Sequence, residues 1–169
     1  FDLVARELKR IAGCAYTAGL QIHFADVPPD CYKVLADRGV KMLQTRPRRR
    51  DSKKPRLCDY HLPDNILEYF CDNQGWMHFD SGLIFYNGFT GSTCEWTPVD
   101  KIGPSILSRI EAPATSHLVN IVGHEQYWWP FYKNFVPDLY ERWATAFRFV
   151  LDRGYKPIWI EDGFFGGAA

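Results

Sequence analysis

Apolar residues open the chain at helical spacing: Phe1, Val4, Ala5, Leu8 and Ile11, with Gly13 placed to close the helix. Residues 20–24, LQIHF, then form a short apolar stretch that predicts a strand. Pro28-Pro29-Asp30 starts a second helix with Cys31, Val34 and Leu35 on one face. It ends in L-A-D-R-G, where Gly39 takes the left-handed cap position. Residues 40–43 read as the next strand. The same grammar returns late in the chain. Val136-Pro137-Asp138 opens a helix whose apolar stripe is Leu139, Trp143, Ala146, Phe147, Val150 and Leu151. That helix closes with L-D-R-G at Gly154, and Lys156-Pro157 leads into the strand IWI at 158–160.

Helix, D-R-G, strand therefore occurs twice, as ADRGVKML and LDRGYKPIWI. Gly-capped helices feeding short apolar strands are the rhythm of an α/β protein built from βα repeats. Residues 118–122, LVNIV, predict another strand. Between these repeats, residues 63–71 predict a helix and 77–86 leave room for a strand or hairpin. Residues 98–110 predict a helix that Gly103-Pro104 should kink or restart. The expected fold is a single α/β domain over residues 1–169: a partial or irregular (β/α) barrel with mostly parallel strands. The opening residue already lies inside a helical pattern, so the barrel's N-terminal units are expected upstream. One sheet edge should then lack its neighbour.

Composition narrows the function classes. Formal net charge is zero, so no global field draws in nucleic acid or an anionic membrane. No apolar run approaches the roughly 20 residues that span a bilayer. Thr45 to Arg56 carries seven basic residues against one acid, without aromatics, and reads as a solvated loop. The five cysteines are scattered, which fits free thiols in a reducing compartment and leans the reading towards a cytoplasmic protein. Cys58, His61, Cys71 and His78 are zinc-type residues at a spacing no finger or ribbon uses. Aromatics make up 16% of the chain, enough to line a cleft as well as a core.

Ligands in parallel α/β folds sit beyond the carboxyl ends of the strands. LQIHF ends at His23, near Asp26. LVNIV ends at Gly123-His124-Glu125, and IWI at Glu161-Asp162. Three strands would thus deliver His or acid groups to one rim. His124 is the best candidate for proton transfer, because imidazole both donates and accepts protons near neutral pH. The plain alternative is a structural histidine bonded to backbone. Glu125 and Glu161 are candidate catalytic acids, with helix capping or exposure at a strand exit as their plain readings. Tyr127, Trp128 and Asp162 are candidate substrate-binding residues. Flat rings stack on pyranose faces while hydroxyls reach neighbouring His and acid groups; packing under the next helix explains the rings equally well.

On Ile121-Val122-Gly123-His124-Glu125-Gln126-Tyr127, the 132–140 segment and Gly154-Tyr155-Lys156-Pro157, the chain resembles the C-terminal part of the polysaccharide-deacetylase-like (NodB-type) superfamily. It is similar to bacterial members of the glycoside hydrolase/deacetylase (β/α)-barrel group. The resemblance implies a divalent metal, zinc or similar, and hydrolysis of an acetyl group on a sugar polymer. A late strand-end histidine, matching His124, would protonate the leaving group. His23 is the weak metal candidate. The family's early Asp-Asp motif would lie before Phe1, and the position four after His23 is Val27 rather than histidine. The expected function is a carbohydrate-active hydrolase of deacetylase type, truncated or degenerate if the metal ligands are missing. The alternatives are a non-catalytic saccharide-binding domain, a glycosidase pairing Glu125 with Glu161, and an interaction module unrelated to sugars.

Overall fold

The computed structural model describes residues 2–13, 19–20, 22, 26–45, 60–87, 94–112 and 115–158. Five α-helices and four strands form among them. The helices are α1 (Asp2–Ala12), α2 (Tyr32–Asp37), α3 (Asp64–Tyr69), α4 (Val99–Ile110) and α5 (Leu139–Leu151). The strands are β1 (Gly19–Leu20), β2 (Met42–Thr45), β3 (Gly75–His78) and β4 (Leu83–Asn87). They make one open sheet in the order β1-β2-β4-β3. β1 and β4 both run parallel to β2, and β3 returns antiparallel to β4. The sheet is therefore open and mostly parallel, and the described strands close no barrel. All four residues of β2 are buried, as expected of a strand covered on both faces.

The repeated D-R-G segments do what their composition predicts. Gly39 and Gly154 sit at φ 85° and 83°, a region that L side chains rarely adopt, and each stops its helix directly. Pro104 lies inside α4, which runs unbroken from Val99. The close approach of Phe149 explains the glycine before it: a Cβ on Gly103 would lie 2.8 Å from the Phe149 ring. Leu3, Val4 and Ile11 of α1 are more than half exposed, and α1 buries no residue. No helix among the described residues is long and apolar enough to cross a membrane.

Apolar residues gather into two clusters. One lies against the sheet and contains Tyr32, Leu43, Tyr60, Leu67, Phe70 and Phe85. The other lies between α4 and α5 and contains Cys94, Ile102, Ile106, Tyr127, Leu139 and Ala146. Residues 117–124 run from the first cluster to the second, and here the sequence reading needs correction. LVNIV is extended but joins no strand of the described sheet. The side chain of buried Gln74 takes the place of a neighbouring strand. Its Oε1 accepts the backbone N–H groups of His117 and Leu118 at 3.0 and 2.9 Å. Its Nε2 donates to the carbonyls of Leu118 and Asn87 at 2.7 and 3.2 Å. A second amide link, Asn120 Nδ2 to Gln44 Oε1 at 2.7 Å, ties the strap to β2. Two further strand assignments fall mostly outside the described residues. Of the described residues of LQIHF, Leu20 pairs as part of β1 and Ile22 lies outside the strand; residues 21, 23 and 24 are not described. Of IWI, Ile158 is not in a strand and residues 159–160 are not described.

Removing the Gln74 amide strands backbone groups that a side chain alone satisfies. Gln74→Leu is expected to lower stability by about 1–3 kcal/mol, the cost of buried polar groups left unpaired. Urea unfolding would read this as a lower midpoint with an unchanged slope. A midpoint equal to that of the parent chain would show that the strap is held by other contacts.

Candidate functional site

Two short 3₁₀ turns meet on the α4–α5 cluster. Cys94–Trp96 precedes α4, and Glu125–Trp128 follows the strap. His124 stands at the entrance to the second turn with extended backbone, φ −122° and ψ 133°. Its Nδ1 lies 2.5 Å from Oε1 of Glu95 in the first turn. The Glu95 side chain is fully buried, whereas that of His124 is 45% exposed. Nε2 of His124 has no hydrogen-bond partner among the described residues, so one ring nitrogen is anchored and the other is open. A carboxylate accepts only, which puts the neutral imidazole's proton on Nδ1 and a lone pair on Nε2.

Aromatic rings frame this imidazole. The Trp96 indole lies 6.1 Å from it, tilted by 37°, and is itself 63% exposed. Trp96 Nε1 donates to the Tyr127 hydroxyl at 3.2 Å. Tyr127 is buried and packs edge-on against Tyr132 at 5.3 Å. Tyr127 therefore supports the site from beneath rather than walling it. Trp128 is exposed, and further along the loop Trp129 and Phe131 stack at 5.9 Å with both rings exposed. The Trp96 indole is thus an exposed ring next to the imidazole.

The backbone of the turn that carries the buried carboxylate is held from α5. Arg142 on α5 donates through Nη1 to the carbonyls of Cys94 and Glu95 at 3.2 and 3.1 Å. Its Nη2 pairs with Asp138 at 2.9 Å, and that bond holds the Asp138 carboxyl below its usual range. Oε2 of Glu95 has no partner among the described residues. Burial, reinforced by the Glu95 charge, pushes the Cys94 thiol up to about 11, so it remains an unreactive thiol.

The candidates from the sequence divide as follows. His124 is brought to the buried acid Glu95, a residue that sequence reasoning passed over. The clue was its setting, an acid between Cys94 and Trp96 just before a helix start. Glu125, the residue after His124, begins the second turn and is exposed. His23, Glu161 and Asp162 lie outside the described residues, as do Cys58 and most of the basic stretch. His61 pairs with Asp26 at 2.8 Å, and both side chains are exposed. Cys31, Cys71 and Cys94 are free thiols. Among the described residues no three His, Cys, Asp or Glu side chains group together as metal ligands, and the metal candidate His23 lies outside them. A cavity of about 490 Å³ borders Tyr86, Asn120, Phe147 and Tyr155, but His124 does not line it. The dyad is the stronger candidate, because among the described residues it alone pairs an open imidazole nitrogen with a fully buried carboxylate.

Comparison with protein-family models, curated proteins and solved structures gives no match.

The join between the strap and α5 is tight. A Cβ on Gly123 would lie 2.3 Å from Cζ2 of Trp143, closer than any side chain tolerates. Gly123→Ala is expected to cost about 1–3 kcal/mol through overpacking. Because His124 is the next residue, the near-ultraviolet circular dichroism of the tryptophans should change as well. An unchanged spectrum and melting point would mean that Trp143 has room to move.

Proposed function

We propose that this chain is the late part of a (β/α)-barrel hydrolase that removes an acetyl group from a saccharide, with His124 as its proton-transfer residue. The observation that carries this reading is the Glu95–His124 pair: a buried carboxylate on Nδ1, an open Nε2, and an exposed indole beside it. Glu95 fixes the ring by accepting from Nδ1–H, which leaves Nε2 to take a proton from the attacking water. In hydrolysis, water adds its oxygen to the acetyl carbon as the bond to the sugar oxygen or nitrogen breaks. His124 Nε2 then delivers the proton that the leaving group needs. The rings of Trp96 and Trp128 offer faces for a pyranose, and Glu125 and Gln126 supply polar groups at the same edge. The steps assigned here belong to His124 and Glu95 alone, since the described residues form no metal cradle.

A second reading has its own support. The exposed run Trp96, Trp128, Trp129 and Phe131 suits a saccharide-binding surface that does no chemistry.

Acetate release from acetylated oligosaccharides separates the two. His124→Ala should lower kcat by about 10²–10⁴-fold, the usual worth of a general acid or base. Its melting temperature should fall as well, because the buried Glu95 carboxylate loses its partner, so kcat is compared at a temperature where both chains are folded. Trp128→Ala should chiefly raise KM. Saccharide binding without acetate release by the parent chain, unaltered in His124→Ala, would establish the binding reading instead.

A further inference from the structure

We propose that Arg142 is a positioning residue for His124, acting through the backbone of the turn that carries Glu95. The inference rests on the reading of His124 as the proton-transfer group and adds how that group is aimed. The Cys94–Trp96 turn is only three residues long. Carbonyls at the end of so short a turn have no internal donors. Two of them, Cys94 O and Glu95 O, are both taken by Arg142 Nη1 at 3.2 and 3.1 Å. Arg142 lies 47 positions away on α5, where its side chain is only 16% exposed. The helix beneath it is anchored by Leu139, Ala146 and Val150 in the same apolar cluster as Cys94.

The guanidinium is itself held from the other side. Asp138, one helical turn earlier, bonds Nη2 at 2.9 Å, and the Arg142 N–H closes the helix onto the Asp138 carbonyl at 3.0 Å. The chain of contacts runs Asp138, Arg142, the turn backbone, the Glu95 carboxylate, then Nδ1 of His124. Every link except the last is set by α5. The last link, at 2.5 Å, has little tolerance for rotation of the turn. A guanidinium suits this work because its planar fork serves two carbonyls and a carboxylate at once, whereas an ammonium is a single point donor. The titratable groups around His124 are Glu95 from the first turn and Tyr127 from its own; Arg142 is joined by Asp138 on α5 and by the Cys94 thiol.

The test is the tautomer of His124, read from imidazole ¹⁵N shifts in the full chain at a pH where the ring is neutral. The parent chain should show Nδ1–H with Nε2 unprotonated. Arg142→Gln should weaken that preference roughly tenfold, about the worth of one hydrogen bond to a charged group. Arg142→Lys should restore part of it. A folded Arg142→Gln with the parent tautomer ratio overturns the proposal. Should Arg142→Gln fail to fold, Asp138→Asn decides, since it loosens the same clamp from its more exposed side. A shift in the same direction supports the proposal, and an unchanged ratio overturns it. Acetate release is measured in parallel. A tautomer that moves in a parent chain releasing no acetate sinks the hydrolase reading and leaves the positioning role standing.

Discussion

A carboxylate removed from water needs a partner, and at Glu95 that partner is the one imidazole the strap carries to it. Placing an ionised acid in an apolar cluster without compensation costs several kcal/mol (order of magnitude). The contact between Glu95 and His124 therefore constrains both turns. It sets where the strap must end, because residues 117–124 have to bring His124 to the α4–α5 cluster. It also accounts for Tyr127, whose buried ring carries Trp96 through a hydroxyl. With Glu95 as a fixed point, the glycine at 123 and the close packing of Trp143 follow from how tightly the strap meets α5.

The sheet contributes by anchorage rather than by chemistry. Its cluster and the helical cluster are joined by a strap whose backbone is bonded by the Gln74 side chain and whose Asn120 side chain bonds Gln44 of β2. Amide side chains can imitate a strand edge, offering a donor and an acceptor together. The ladder stops at β3 and β4, yet the strap is still registered against Gln74 to within one residue. His124 lies six residues beyond Leu118, so that registration passes directly into the position of the imidazole.

Parts of this were legible in the sequence because they depend on local rules. The two D-R-G segments announced helix ends through glycine, and the apolar spacing of α5 announced Leu139, Ala146 and Val150 as buried, although Phe147 and Leu151 of the same stripe stay about half exposed. His124 stood out because it ended an apolar stretch and preceded a dense set of rings. LVNIV misled because extended, apolar and strand-like are properties of the segment, while membership of a sheet depends on a partner. Here that partner is Gln74, whose role no periodicity reveals. Glu95 escaped because its meaning arises from a contact 29 residues distant. An acid flanked by Cys and Trp was the sole local hint that it would be buried. The expectation of three strand ends sharing a rim rested on His23, Glu161 and Asp162, which lie outside the described residues. What stands in its place is a dyad drawn from two turns.

The account turns on His124 working through Glu95, and a double-mutant cycle on kcat/KM for acetate release tests that most directly. Glu95→Gln, His124→Ala and the double variant would be compared with the parent chain. If the carboxylate acts only by orienting the ring, Glu95→Gln should cost about 10²-fold in the parent and nothing once His124 is gone. The same loss in both backgrounds would contradict the account, because Glu95 would then act independently of the imidazole.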